Sequence, residues 1–177
     1  MVWIIKYQYA KVTFQEIPDE ITLCIAISGC KVHCKDCNQK NLWKDEGKDL
    51  NIQELDNLIN ANKGITCICF MGEGEELPML LYYIKMIKKD SNLKTALYIG
   101  RDLNMTIKLY GNSFNCLDYL KVGSYISNLG GLDSKTTNQR LYSLKEVRTE
   151  GEFTDYETVF TDITYKLQKW VLIFIMI

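Results

Sequence analysis

The sequence predicts an α/β fold with parallel strands and crossover helices. Three observations lead to this class. Short apolar runs of strand length recur along the chain, longer segments of helical periodicity lie between them, and the length of 177 residues suits one domain, residues 1–177. An open doubly wound sheet and a shortened open (β/α) partial barrel both fit this alternation. In both architectures, functional residues gather where strands end and loops begin.

The strands are predicted from the apolar runs. Residues 2–14 are interpreted as an N-terminal strand or hairpin. Nearly unbroken apolar runs indicate strands that are buried on both faces. The strands predicted on this basis span residues 21–27, 65–71, 94–99 and 117–122.

Two helices are predicted from apolar residues at helical spacing. The first spans residues 52–63 and ends at Gly64, since glycine commonly follows the last helical turn. The second begins near Leu77 and carries lysines away from its apolar stripe or at its end, where a cation favours the helix dipole. The apolar stripes consist of Ile52, Leu55, Leu58 and Ile59 in the first helix and of Leu77, Leu80, Leu81, Ile84 and Ile87 in the second.

Composition and charge exclude several classes of protein. Apolar residues make up 47% of the chain and charged residues 24%, which is typical of a globular protein and not of a disordered or fibrous one. The net charge of -1 provides no basic field for nucleic acid. The apolar run 171–177 is far shorter than the roughly 20 residues that cross a bilayer, so we expect a terminal strand or a partner contact there.

The cysteine content points to a reducing compartment. The chain has 7 cysteines, and its first residues lack the pattern of a secretory leader. An odd number of cysteines does not indicate a secreted disulfide framework. We therefore expect a cytoplasmic protein in which clustered cysteines bind a metal or perform redox chemistry.

Three cysteines follow the first buried strand with the spacing C-x3-C-x2-C. They are Cys30, Cys34 and Cys37. Three thiolates this close in sequence can converge on one metal centre. A 4Fe–4S cluster normally takes four cysteines, so three leave one iron open, and an open coordination position distinguishes a reactive metal site from a structural one. The spacing predicts a cluster that binds another molecule through its fourth iron.

Zinc is the alternative metal. His33 or Cys24 could complete a tetrahedral site, but no second pair of ligands follows at zinc-finger spacing. Cys24 lies within a predicted strand and is expected to pack in the core, and His33 is expected to be an exposed loop residue. Cys67 and Cys69 alternate along another strand and share a face, so we expect buried thiols. Cys116 is interpreted in the same way.

The cysteine motif is the signature of the radical S-adenosylmethionine superfamily, and further segments resemble the activating proteins of anaerobic ribonucleotide reductases within it. The resemblance covers about residues 12–143, leaving the tail 144–177 less certain. The segments that carry it are FQEIP at 14–18, CNQKNLW at 37–43, YIGRD at 98–102 and GGLDSKTTNQRLY at 130–142.

The resemblance implies a shortened open (β/α) partial barrel with one 4Fe–4S cluster per chain. It implies reductive cleavage of S-adenosylmethionine to a 5'-deoxyadenosyl radical, which generates a glycyl radical on the large subunit of anaerobic ribonucleoside-triphosphate reductase. A flavodoxin or ferredoxin type of protein would supply low-potential electrons. Cys30, Cys34 and Cys37 would be the cluster ligands, with no catalytic residue beyond them. No general base is required, which agrees with the single histidine.

The resemblance also implies contacts to the cofactor. Backbone atoms of Asp36, Cys37 and Asn38 would meet the nucleoside, although Asp36 stands where many superfamily members have an aromatic residue. The Gly-Gly-acid turn of the superfamily would correspond to residues 72–76, with Glu73 in place of the second glycine and either Glu73 or Glu75 as the acid. Acidic residues that complement a helix N-terminus are the alternative interpretation of this turn. The residues of the turn implied to bind the cofactor are Gly72, Glu73 and Gly74.

Loop residues after the third and fourth strands are further candidates. The resemblance suggests that they contact the cofactor or the partner. The alternative, to which we give equal weight, is a solvated ion pair of Arg101 with Asp102 or a neighbour. The polar run 136–140 contains nothing that resembles a core residue and is predicted to be a loop at the cofactor or partner face. A turn whose hydroxyl and amide groups cap the next element is the alternative. These candidates after the strands are Tyr98, Arg101, Asp102, Lys121, Gly123 and Tyr125.

Two other functions fit the cysteine motif. One is activation of another glycyl radical enzyme, such as a formate lyase, against which the TTNQR block within 136–140 argues. The other is a small iron–sulfur or zinc protein that transfers electrons or only binds a partner. Products of S-adenosylmethionine cleavage distinguish an activase from such a module.

Overall fold

The computed structural model describes residues 4–74, 76–149 and 155–168. These ranges contain eight strands, three complete α-helices, two 3-10 turns and helical residues at 164–168. The strands are β1 (Ile5–Thr13), β2 (Thr22–Ile27), β3 (Lys48–Leu50), β4 (Cys67–Met71), β5 (Lys94–Tyr98), β6 (Tyr119–Val122), β7 (Arg140–Thr149) and β8 (Asp155–Asp162). The helices are α1 (Ile52–Ala61), α2 (Leu77–Asp90) and α3 (Leu103–Tyr110), and the 3-10 turns are Lys40–Trp43 and Gly111–Cys116.

The strands form one open, mixed sheet in the order β3-β1-β2-β4-β5-β6-β7-β8. The four central strands β2, β4, β5 and β6 are parallel, as predicted, and α1, α2 and α3 lie in the connections between them. The expectation of parallel strands throughout is wrong at both flanks, where β1 pairs antiparallel with β2 and β3, and β7 with β6 and β8. Residues 14–21 between β1 and β2 are too few for a crossover, so they return the chain as a hairpin, whereas the longer segment 123–139 joins β6 to β7.

The predicted elements lie close to their observed positions, and α1 and α3 each begin at a residue whose side chain caps the helix. Asn51 caps α1 by accepting a hydrogen bond from the Glu54 backbone N–H at 2.8 Å. Asp102 caps α3 in the same way, with the Met105 N–H at 2.9 Å. The sequence did not predict α3, since Thr106 is its buried residue and its apolar side chains mostly face solvent.

The core lies on both faces of the sheet. Leu23, Ile25 and Ile27 of β2 pack toward the helices, while Cys24 belongs to a second cluster on the opposite face. The alternation follows from strand geometry, which turns successive side chains to opposite faces. Fully buried Cys67 and Cys69 join Cys24 in that second cluster, which confirms their prediction as buried thiols. Cys116 is also buried.

Two predictions fall wholly or partly outside the described residues. The apolar run 171–177 lies beyond position 168, and Glu75 lies in the gap between the first two described ranges. Within the described ranges, none of the helices has the length and apolar character needed to cross a membrane.

Candidate functional site

A cavity of about 640 Å³ lies at the carboxyl ends of the parallel strands. Met71 and Gly72 line it at the end of β4, Tyr98 and Gly100 at the end of β5, and Lys121 in β6. Its volume is within the range of about 300–1,000 Å³ that is usual for small-molecule sites. The remaining lining residues include Phe14, Gln15, Glu16, Pro18, Val32, Asn38, Gln39, Leu42, Trp43, Ile99, Tyr125, Leu132, Asp133, Gln139 and Leu167.

The cysteine loop after β2 forms one wall of this cavity. Cys30, Cys34 and Cys37 all line it, all are partly exposed, and all are free thiols. Backbone hydrogen bonds hold the loop: the Cys30 N–H donates to the Leu42 carbonyl at 2.8 Å, and the Cys37 N–H donates to the Cys34 carbonyl at 3.0 Å. The Gln39 N–H lies 3.4 Å from the Cys37 sulfur, which it can reach as a donor. The structure therefore gathers the three predicted ligands around one space.

The groups proposed as additional zinc ligands lie elsewhere. His33 is exposed and stacks on Trp43 with 4.8 Å between ring centroids, and Cys24 is buried in the core cluster. Neither lines the cavity. In the described part of the chain, no three His, Cys, Asp or Glu side chains stand close enough together to bind a single metal ion.

Gly100 lets the end of β5 approach the cysteine loop, and Gly72 lets the end of β4 approach the end of β2. A Cβ atom on Gly100 would lie 2.8 Å from Val32 Cγ1 and 3.0 Å from the Cys34 sulfur. A Cβ atom on Gly72, where φ is 105°, would lie 2.9 Å from the Ile27 carbonyl oxygen. Both positions exclude any larger residue without movement of the loop or the sheet. The loop and the strand ends are thus packed directly against each other around the cavity.

The residues of the turn after β4 have different surroundings: one lines the cavity and another forms an ion pair. Gly72 lines the cavity, whereas Glu73 and Gly74 do not. The buried Glu73 carboxylate accepts hydrogen bonds from Arg101 Nε at 2.8 and 2.9 Å and from the Tyr110 hydroxyl at 2.7 Å. The hydrogen bond to Glu73 raises the pKa of Arg101. Arg101 therefore forms an ion pair, as the plainer interpretation expected, and its partner is Glu73.

Asp36 and Asn38 also have different surroundings. Asn38 lines the cavity beside Cys37. The Asp36 carboxylate does not line it and instead accepts hydrogen bonds from the backbone N–H and the hydroxyl of Ser127, both at 3.1 Å. These hydrogen bonds lower the pKa of Asp36. Asp36 consequently ties the cysteine loop to the segment that follows β6.

Lys121 brings a buried amino group to the cavity. The residue is 8% exposed, and its Nζ donates to the Gly123 carbonyl at 2.7 Å. Burial lowers the pKa of Lys121 to about 8, while the neighbouring Cys34, Cys37 and Cys30 oppose that shift. A cation next to three thiolates offsets their mutual repulsion. Among the candidates predicted after the fourth strand, Lys121 is the one whose amino group interacts electrostatically with the three cysteines.

Residues 136–139 form a loop, as predicted, but some of them are buried, so the expectation that the run 136–140 contains no core residue is wrong. Thr137 and Gln139 are 4% and 6% exposed, and Gln139 lines the cavity. Their polar groups find partners: Gln139 Nε2 donates to the Gly123 carbonyl at 3.2 Å, and the Thr137 hydroxyl donates to the Gly130 carbonyl at 3.2 Å. Because these hydrogen bonds are satisfied, the polar side chains can be buried at little cost in free energy. A hydropathy pattern does not reveal such hydrogen-bond partners.

Trp43 is a lining residue that the sequence did not single out as part of the site. It ends the 3-10 turn Lys40–Trp43, and its indole nitrogen is buried without a hydrogen-bond partner in the described part of the chain. An unsatisfied buried donor costs about 1–3 kcal/mol. The only signal in the sequence was the position of Trp43 at the end of the segment 37–43.

Comparison with protein-family models, with curated proteins and with solved structures finds no match to this chain.

Proposed function

We propose that the chain is a radical S-adenosylmethionine activase whose open sheet is a shortened partial barrel. In this proposal Cys30, Cys34 and Cys37 hold a 4Fe–4S cluster with one open iron, and the target is a glycine of anaerobic ribonucleoside-triphosphate reductase. The observation that carries the proposal is the placement of all three cysteines on one wall of a cavity at the carboxyl ends of parallel strands. A cluster held there would supply the electron for cleavage of a carbon–sulfur bond of S-adenosylmethionine, which would give methionine and a 5'-deoxyadenosyl radical.

The donor set of the cavity suits a cluster better than a single ion. Three thiols line the wall, and the alternative fourth ligands, His33 and Cys24, do not. The thiolates of a four-iron cluster bind different iron atoms, so they stand farther apart than the ligands of one zinc ion.

The residues around the three cysteines supply a positive charge, a backbone contact and an apolar lining to the cavity. Lys121 offers a buried cation to anionic groups in the cavity. Gly72 brings its backbone to the cavity edge, and the ion pair of Glu73 with Arg101 holds the turn that contains it. Aromatic and apolar residues such as Phe14 and Leu132 line the same space. All seven cysteines are free thiols.

The test is anaerobic reconstitution of the full chain with iron and sulfide, followed by dithionite and S-adenosylmethionine. Methionine and 5'-deoxyadenosine should form, and a glycyl radical signal should develop by electron paramagnetic resonance when the reductase is added. Alanine at Cys30, Cys34 or Cys37 should abolish both, whereas Cys116→Ala, which removes a buried thiol outside the cavity, should retain them. A zinc-only protein, or a cluster that releases neither product, would refute the activase and leave a binding or electron-transfer module.

A further inference from the structure

The loop that holds the three cysteines has an inner and an outer side. Its inner side faces the cavity, and the residues of the segment 30–35 that line the cavity are Cys30, Val32 and Cys34. The residues that alternate with them are exposed and do not line the cavity: Lys31, His33 and Lys35. A molecule that docks on the outer side would therefore lie only the thickness of this loop away from the cavity.

The outer side of the loop is basic. Residues 30–44 include four lysines and a single acidic residue, Asp36. The chain as a whole has a net charge of -1, so the excess of positive charge is local to this loop. We call the surface formed by these exposed lysines the basic surface, and its members are Lys31, Lys35, Lys40 and Lys44.

Acidic residues at one end of the basic surface form ion pairs with lysines. The Asp45 carboxylate lies 2.8 Å from Lys6 Nζ, and the Glu46 carboxylate lies 3.9 Å from Lys44 Nζ. Both side chains of the second pair are well exposed, so this pair is weak. These acids offset Lys44 in part, and the positive charge of the surface is consequently centred on the other end of the loop.

Lys35 and Lys40 lie close together on the basic surface. Hydrogen bonds from the segment after β6 lower the pKa of Asp36, and the charges of both lysines lower it further. The two ammonium groups are therefore near one carboxylate, which cannot neutralise both. Lys40 Nζ also lies 5.6 Å from the centroid of the Trp43 ring, on which His33 stacks. This stack holds Lys40 against the loop that contains the cysteines.

We propose that the basic surface is the docking site of an acidic one-electron carrier protein that reduces the cluster. This inference rests on the proposed function, because it requires a cluster on the inner side of the loop. One electron leaves the carrier and enters the cluster, and no atom is transferred. Redox encounters between proteins use small interfaces, and opposite charges on the two partners raise their association rate. A compact group of lysines on the loop that holds the ligands suits such an encounter.

The first test is the rate at which a reduced, acidic flavodoxin reduces the cluster-loaded full chain, followed by anaerobic stopped-flow absorbance. At low ionic strength, the double variant Lys35→Glu/Lys40→Glu should lower the second-order rate constant at least about tenfold. At about 1 M salt, where the Debye length is about 3 Å, wild type and variant should react at similar rates. With dithionite, which needs no docking site, the variant should still cleave S-adenosylmethionine.

The matched control is the double variant Lys63→Glu/Lys89→Glu, which makes the same change in net charge. Both lysines are exposed, one just after α1 and the other in the last turn of α2. These helix ends lead into the amino ends of β4 and β5, at the edge of the sheet opposite the cavity. The control should keep the wild-type rate with flavodoxin at equal iron content.

Cross-linking gives a second readout that needs neither a variant nor catalysis. A carbodiimide joins a lysine amine to a carboxylate that lies against it, so the reagent records which lysines the flavodoxin covers. Mass spectrometry of the cross-linked wild-type complex should find flavodoxin peptides joined to Lys35 or Lys40. Cross-links to Lys63 or Lys89 should be absent.

The outcomes separate this inference from the proposed function. Equal rates in wild type and Lys35→Glu/Lys40→Glu at equal iron content, an equal loss in the control variant, or cross-links confined to other lysines would overturn the docking site but not the activase. A variant that keeps the wild-type rate with flavodoxin but no longer binds the reductase would assign the basic surface to the reductase and overturn the inference as well. A wild-type chain that assembles no cluster would overturn both.

Discussion

Gly100 is the point at which the cysteine loop comes closest to the end of β5. A methyl group there would lie 2.8 Å from Val32 Cγ1, 3.0 Å from the Cys34 sulfur and 3.3 Å from Val32 Cβ. All three atoms belong to side chains of the loop. The Gly100 carbonyl is itself held by a hydrogen bond from the Ser124 hydroxyl at 2.8 Å. Gly100→Ala should therefore push the loop outward and displace Cys34 from its place on the cavity wall.

The magnitude follows from the contacts, because the backbone of Gly100 is not in the left-handed region. Forcing a methyl group into a packed site typically costs about 1–3 kcal/mol. We expect that loss in the free energy of unfolding of the metal-free protein. Since Cys34 is one of the proposed ligands, we also expect the iron content after anaerobic reconstitution to fall well below the roughly four atoms per chain of a full cluster.

Gly111→Ala is the matched control. Its φ is 48° and its ψ is −132°, so alanine there is strained by about 1–3 kcal/mol, but no atom lies within 4 Å of the added methyl group. Both variants should lose similar stability in urea unfolding, while only Gly100→Ala should lose iron. Full iron content in Gly100→Ala would refute the packing of Cys34 on the end of β5. Equal iron loss in both variants would show that the cluster responds to stability alone.

Three further predictions concern residues away from the cluster. Cys69→Ser buries a hydroxyl in the core and should lower the free energy of unfolding in urea by about 1–3 kcal/mol. The iron content should stay near about three to four atoms per chain, as one cluster implies. Loss of iron would indicate that Cys69 is a ligand. Burial and the hydrogen bond to Glu54 raise the pKa of Tyr7 to about 12. Because the unfolded chain releases this proton near its usual pKa of 10.0, stability should fall from pH 10 to 12 by about 2 kcal/mol more in wild type than in Tyr7→Phe. Parallel pH curves would contradict this prediction. Arg101→Leu leaves the buried Glu73 carboxylate without its cation and should cost about 3 kcal/mol, much of which Glu73→Leu in the same chain should restore; a stability equal to wild type in Arg101→Leu would exclude the ion pair.

The central strands could be predicted from sequence because each is a continuous apolar run. The prediction for 21–27 corresponds to Thr22–Ile27, and the prediction for 94–99 corresponds to Lys94–Tyr98. The flanking strands β7 and β8 were not predicted. The helix α3 was not predicted either, because Met105 and Leu109 are exposed, and an apolar pattern is informative only when it marks the side that packs on the core.

The candidate site could be predicted only in part. The C-x3-C-x2-C spacing predicted that Cys30, Cys34 and Cys37 would lie together, and all three line one cavity. The contacts that hold them come from distant segments. Asp36 binds Ser127, 91 residues away, and no local pattern identifies such a pair. The assignment of the cluster and its cofactor stays a prediction.

The sequence by itself determined the class of the fold, the central strands and the residues of the cysteine loop, because these depend on hydropathy and spacing over short stretches of chain. Only the tertiary structure decided that the flanks of the sheet run antiparallel, that Glu73 faces Arg101 and Tyr110, and that the Trp43 N–H lacks an acceptor. Each of these depends on which distant backbone or side chain comes within hydrogen-bonding distance. Such contacts are set by the packing of the whole chain, which local periodicity does not encode.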